Sequence, residues 1–298
     1  MTPDKRPSTW QVWWQAARPK TLSASICPVA IGTALAARDG AVWWPAAAAA
    51  LVGAIAIQVG TNYANDYFDF HQGADTEQRR GPTRAVQAGL VAPAAMRRAF
   101  LLAFGVMAVC CIYLVQRAGW QLAALGAVSA ACGIGYTASR FSLAYLGLGD
   151  LFVLIFFGPV AVAGTHYVQT LELSPAAVVA GIAPGLIAVA ILVVNNLRDI
   201  QEDAAAQKRT LAVRFGPTFA RCEYTAVLLA AALVPVLLWR RYDFGSAVLL
   251  ASLIILPAFV LIRLLSQRDG RALNPLLGMT GALLMLYTVL FVVVSQWA

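Results

Sequence analysis

"LVGAIAIQVGTNYANDYFDF", residues 51–70, is apolar or small but for Gln58 as far as Gly60, and then places Asn62, Asp66 and Asp69 within eight positions. A second run, "AVAILVVNNLRDIQED", residues 188–203, does the same with Asn196, Asp199 and Asp203. If the first helix continues past Gly60, its three polar residues stand at i, i+4 and i+7 and share one face. The second trio stands at i, i+3 and i+7, again on one face. Carboxylates stacked this closely repel one another unless a cation lies between them. Mg2+ suits such a strip, because it takes one or two carboxylates and fills its remaining positions with water and phosphate oxygens. The alternative, solvated acids at two helix ends, fits any single Asp better than it fits two matching clusters. Asp66 and Asp199 lie 133 positions apart, and a weak internal duplication accounts for the match.

The surrounding composition fixes the setting. The 298 residues are 60% hydrophobic and 12% charged, whereas soluble domains carry about a quarter charged residues. Nine stretches, near 21–37, 42–63, 99–115, 120–136, 148–165, 176–194, 224–239, 245–265 and 276–295, have the length and apolarity of bilayer-crossing helices. The expected fold is all-α, a single-domain polytopic bundle of nine transmembrane helices over residues 1–298. The segment 1–20 is polar and lacks the apolar stretch of a cleavable signal peptide.

Assigning loops alternately to two sides puts 18 of the 22 Lys and Arg on the side of the N-terminus. The positive-inside rule then makes the N-terminus cytoplasmic and, in a bacterium, the inner membrane the location. The net charge of +8 reflects topology and attraction to anionic membrane lipid, not nucleic acid. Cys27, Cys110, Cys111 and Cys132 fall inside apolar stretches and Cys222 in a loop, with no C-x-x-C spacing. They read as structural small hydrophobes.

Both acidic clusters open long loops on the basic side, 64–98 and 195–223, and each leads into basic residues. Arg79, Arg80 and Arg84 follow the first; Lys208 and Arg209 follow the second. Arg grips phosphate through two nitrogens and Lys as a point charge. Paired acidic helices with basic neighbours suit a diphosphate leaving group, which departs only when cations absorb its charge. An allylic cation left behind needs a dry site with aromatic faces, which Tyr63, Tyr67, Phe68, Tyr136 and Tyr145 can supply. Packing or an interfacial belt explains each of these aromatics equally well. Asp150, at the start of the fifth stretch, is an intramembrane acid and so a functional candidate, or else a helix-start residue. His71 reads as a solvated loop residue.

Five ordered motifs resemble the UbiA superfamily of intramembrane aromatic prenyltransferases, and within it the branch that prenylates 1,4-dihydroxy-2-naphthoate. They are "RPKTLSASICPVAIGTALA" (18–36), "NYANDYFDFHQGADT" (62–76), "GPTRAVQAGL" (81–90), "GYTASRFSLAYLGLGDLFVLIFFGPVAVAGT" (135–165) and "NNLRDIQEDAAAQKRTLAVRFG" (195–216). The resemblance implies a reaction: polyprenyl diphosphate and 1,4-dihydroxy-2-naphthoate give demethylmenaquinone, diphosphate and CO2, with Mg2+ required. It implies Asp66, Asp69, Asp199 and Asp203 as metal-binding and catalytic residues, with Asn62 and Asn196 beside them. It implies Arg84, Arg140 beside Tyr136, Lys208 and Arg209 as diphosphate contacts, and Arg18 and Lys20 as contacts to the acceptor's carboxylate or a phosphate. The hydroxybenzoate branch has a further Asp where this chain has Gly73, and a Tyr-Pro…Lys-Arg pattern where it reads "YTASRF"; both differences favour the naphthoate branch and leave Asp75 without a fixed role. Prenylation of 4-hydroxybenzoate or homogentisate is the alternative among enzymes. A secondary transporter is the alternative outside them, although transporters carry their acids near the bilayer midplane.

Overall fold

The computed structural model describes residues 7–71, 81, 84–135 and 147–297, and among them every regular element is helical. In chain order the α-helices are α1 (Thr9–Ala16), α2 (Ser23–Arg38), α3 (Trp44–His71), α4 (Pro93–Ala118), α5 (Gln121–Gly135), α6 (Gly149–Ile155), α7 (Ala161–Thr170), α8 (Pro175–Arg198), α9 (Ile200–Ala205), α10 (Leu211–Arg241), α11 (Ile255–Ser266) and α12 (Asn274–Ser295). A π-helical turn, Phe156–Val160, joins α6 to α7, and a 3-10 segment, Ser246–Ile254, leads into α11.

Each of the nine apolar stretches falls on a helix. Seven helical stretches are long and apolar enough to cross a bilayer: Trp44–His71, Pro93–Ala118, Gly149–Thr170, Pro175–Arg198, Leu211–Arg241, Ser246–Ser266 and Gly270–Ser295. The protein is therefore a multi-pass membrane protein. The pair Thr9–Thr21 and Ser23–Arg38 adds an eighth span if its 55° bend is counted within one crossing, and the apolar helix Gln121–Gly133 is shorter. The two acidic loops are shorter than the sequence suggests. Helix α3 runs on to His71, and residues 200–205 and 211–223, expected as loop, are helical.

Local chemistry sets the boundaries. Pro93 and Pro175 open their helices where a missing N–H costs nothing. Ser8 and Gln11 form a reciprocal capping box on α1, and Ser174 and Thr210 cap α8 and α10 through the N–H groups of Ala177 and Val213. Gly216, at φ 84°, kinks α10 just before Pro217.

Helix α8 is the axis of the bundle, with most of its residues buried against α2, α7, α10 and α12. Its approach to the π turn depends on glycine. A Cβ on Gly158 would lie 2.6 Å from the Gly181 carbonyl oxygen, and one on Gly181 would lie 2.6 Å from Pro159 Cα. Hydrocarbon gives helices no hydrophobic reason to associate, so backbone contact through small residues supplies van der Waals attraction instead. Helix α4, by contrast, exposes Leu101, Leu102, Val109 and Ile112, the composition of a lipid-facing surface.

Candidate active site

Asn62, Asp66 and Asp69 share one face of α3, as their spacing predicts, and all three are buried. The chain after α3 folds back onto that face. Asp66 accepts hydrogen bonds from the backbone N–H groups of Ala85 (2.9 Å) and Val86 (3.2 Å), one to each carboxylate oxygen. Asp69 pairs with the buried guanidinium of Arg84. The first acidic strip thus meets one of the cations expected from sequence.

The second strip differs from expectation. Helix α8 ends at Arg198, and Asp199, at φ −97° and ψ 11°, interrupts the path before α9 begins. Asn196, Asp199 and Asp203 remain buried, but they do not lie on one continuous helix. Arg198 sits at this break. Its side chain is 1% exposed, and Nε and one terminal nitrogen bind Asp199 at 2.6 and 2.5 Å. Further bonds run to Asn195 Oδ1 (2.7 Å) and Asn274 Oδ1 (3.0 Å) on α12. An exposed ion pair is worth little, whereas one inside a bundle becomes strongly destabilising when either partner is removed. Asp203 faces Lys208 at 3.5 Å, across a turn closed by the Lys208 N–H to Asp203 carbonyl bond.

A cavity of about 430 Å³ separates the two halves of the bundle. Asn62 and Asn65 of α3 line one end of it together with Asn195 of α8, so both acid-bearing segments border it through their amides, while Asp66, Asp69, Asp199 and Asp203 are not among the lining residues. From there it follows α3 back to Ala49, sixteen residues away and about 24 Å along the helix axis. Its walls are mostly Ala, Gly, Leu, Val, Ile, Met and Cys, with Phe152, Phe156 and Phe157 and a few Ser, Thr and Gln side chains. Arg18 is the one charged side chain among the described residues that line it.

Several placements correct the sequence reading. Asn195, not Asn196, lines the cavity and joins the Arg198 network. The cavity's aromatic faces come from the π-turn region, where Phe152 and Phe156 stack at 5.9 Å and 4°. Tyr63 and Tyr67 turn elsewhere: Tyr63 donates to the Trp13 carbonyl, and Tyr67 packs with Phe68, Phe100 and His71. His71 ends α3 rather than sitting in a loop. Lys20 is exposed and packs against α12 near Gly278 and Gly281, outside the cavity lining, and Arg209 is exposed. Cys110, Cys111 and Cys132 are free thiols in the cavity wall. Asp150 is buried in the first turn of α6, and its Oδ1 has no hydrogen-bond partner among the described residues. Arg79, Arg80, Tyr136, Arg140, Tyr145 and Asp75 lie outside the described residues.

The donor set fits Mg2+ in one particular way. Asp66, Asp69, Asp199 and Asp203 are hard oxygen donors, yet each is engaged by a cation or by backbone N–H groups. Among the described residues no three His, Cys, Asp or Glu side chains converge as a metal-binding group. The four carboxylates suit an ion that shares one or two of them with phosphate and water oxygens.

Known proteins resemble this arrangement closely. The chain is 36% identical to the 1,4-dihydroxy-2-naphthoate octaprenyltransferase of Escherichia coli (strain K12), covering 99% of each chain. It is 39% identical to the protein of that name from Mycobacterium tuberculosis (strain ATCC 25618 / H37Rv), covering 93% of this chain and 94% of the other. Its fold matches the structure of a UbiA homolog from Archaeoglobus fulgidus bound to GPP and Mg2+, with a TM-score of 0.63, 14% identity, and coverage of 95% of this chain and 100% of that one. The sequence model of the UbiA prenyltransferase family matches residues 25–285, a span that takes in both acidic segments and every helix bordering the cavity from α2 onward. With the motifs, the bundle and the relatives in agreement, the chain belongs to the UbiA prenyltransferase family.

Proposed function

We propose that the protein transfers a polyprenyl group from a polyprenyl diphosphate to 1,4-dihydroxy-2-naphthoate, releasing diphosphate and CO2 and yielding demethylmenaquinone. The observation that carries this reading is the apolar cavity that begins between the two acidic segments and runs about 24 Å through the bundle. A prenyl tail fills such a space, and its diphosphate stays at the polar end. The relatives' shared name supplies the acceptor.

Asp66, Asp69, Asp199 and Asp203 would hold Mg2+, which neutralises charge developing on the leaving diphosphate. Arg84 and Lys208 sit beside these carboxylates and can turn toward phosphate oxygens when those enter. Arg140, Arg209, Tyr136 and Asn196 are assigned to the same diphosphate, and Lys20 to the acceptor's carboxylate or a phosphate, on the resemblance alone. The cavity wall excludes water, and the stacked Phe152 and Phe156 offer their faces to an allylic cation. Arg18 is placed to meet the naphthoate carboxylate. Attack by the ring carbon that bears this carboxylate forms the new C–C bond, and the carboxylate leaves as CO2, its electrons restoring the aromatic ring. No ring proton has to be removed, so no strong general base is required.

The whole chain acts as one integral-membrane domain with nine crossings, the N-terminus and both acidic segments on the cytoplasmic side of a bacterial inner membrane. Membranes containing the protein, supplied with Mg2+, labelled polyprenyl diphosphate and a panel of aromatic acids, test the activity. Mass spectrometry should find a decarboxylated prenyl naphthoquinone or its hydroquinone from 1,4-dihydroxy-2-naphthoate alone. A product that keeps the carboxylate, or one formed only from 4-hydroxybenzoate or homogentisate, would overturn the acceptor assignment.

A further inference from the structure

Arg18 occupies an unusual backbone position. It has φ 54° and ψ 63°, the left-handed region, between Ala17 at the end of α1 and Pro19 at the start of a 3-10 turn. A non-glycine residue avoids that region, and a following proline restricts its backbone further. Such a conformation persists only when its surroundings impose it. Here they do. Asn62 Nδ2 donates to the Ala17 carbonyl at 2.9 Å, across 45 residues of sequence, and satisfies one of the carbonyls that the end of α1 leaves without a helical partner. The Thr21 N–H and hydroxyl both bind the Arg18 carbonyl at 3.0 Å, and the Arg18 N–H binds Gln15. The Ala17–Arg18 peptide is therefore held on both sides, and the side chain it carries is the one charged cavity-lining group among the described residues.

We infer that Asn62 is a positioning residue for the aromatic acceptor: by gripping the Ala17 carbonyl, its amide fixes the left-handed turn that presents Arg18 to the acceptor's carboxylate. This inference rests on the proposed acceptor chemistry and assigns the Asn62 amide nitrogen to the acceptor side of the site. The first acidic motif alone would assign the residue to metal and diphosphate. The two roles separate in Asn62→Asp, which keeps a hard oxygen toward the cavity but loses the N–H that holds Ala17.

The test measures steady-state kinetics of purified, detergent-solubilised wild type, Asn62→Asp, Arg18→Gly and the double variant, varying 1,4-dihydroxy-2-naphthoate, polyprenyl diphosphate and Mg2+ in turn. Loss of a bond that orders a charged group predicts a rise of about tenfold or more in the acceptor KM of Asn62→Asp. The polyprenyl diphosphate KM and the Mg2+ dependence should stay unchanged. In the Arg18→Gly background, where the turn carries no strain, Asn62→Asp should add nothing. Asn62→Ser, smaller and uncharged, replaces the Asp variant if that one fails to insert, and the same pattern is expected. An unchanged acceptor KM, a changed Mg2+ or donor dependence, or additive effects in the double variant would overturn the inference. Absence of naphthoate turnover in the wild type would instead overturn the acceptor assignment on which it rests.

Discussion

The guanidinium of Arg198 grips the carboxylate of Asp199, its immediate neighbour in sequence, at 2.6 and 2.5 Å, and the same side chain ties α8 to Asn274 on α12. Arg84 does the corresponding work for Asp69. Each acidic segment therefore has its own buried arginine, which pairs with one of its carboxylates and holds it in place within an apolar bundle.

Removing Arg198 should damage the fold before the chemistry. Arg198→Met leaves Asp199 buried and uncompensated, which costs about 3–5 kcal/mol. Thermal unfolding of the purified protein should show a large drop in midpoint. The double variant Arg198→Met, Asp199→Asn should recover much of that stability while remaining inactive.

Arg84 should behave differently, because it is itself assigned to the diphosphate as well as pairing with Asp69. Arg84→Gln keeps hydrogen-bonding capacity and should cost less stability than Arg198→Met. It should raise the polyprenyl diphosphate KM at least as strongly as it lowers kcat. Kinetics at varied donor concentration read this directly.

The stacked Phe152 and Phe156 should matter to turnover rather than to donor binding. A cation–π contribution of about 0.5–2 kcal/mol predicts that Phe156→Leu lowers kcat by roughly 2- to 30-fold. Its donor KM should change little. An equal loss in kcat and gain in KM would mean that the ring packs against the tail and does not face the cation.

The far end of the cavity should set how much tail fits. Ala49 and Ala50 line it there, about 24 Å from Asn65. Ala50→Trp should spare turnover of short prenyl diphosphates and depress that of long ones, as measured by product formation across a series of donor lengths.

The reach of the sequence can be judged at particular residues. The nine apolar stretches all became helices, because in lipid a segment of that length must satisfy its backbone internally. The face shared by Asn62, Asp66 and Asp69 was legible because α3 continues without a break to His71. The break at Asp199 was not, and the network around it includes a tertiary bond from Arg198 to Asn274, 76 residues away. Arg198 itself read as one more positive charge on the basic side; its spacing of three from Asn195 and its place beside Asp199 were the signal for a local network. Phe152 and Phe156 were not singled out, because inside an apolar stretch nothing in their spacing marks which residues line a cavity. The Asn62 bond to Ala17 crosses too much sequence to be inferred from spacing.

The central claim is that both acidic segments hold one diphosphate through divalent cations. Binding of a non-hydrolysable polyprenyl thiolodiphosphate to the purified protein, with and without Mg2+, tests it most directly in wild type, Asp66→Asn and Asp203→Asn. The account predicts Mg2+-dependent binding at one site per chain, weakened about a hundredfold or more by either substitution. Wild-type binding in either variant, with that variant still folded, would contradict it.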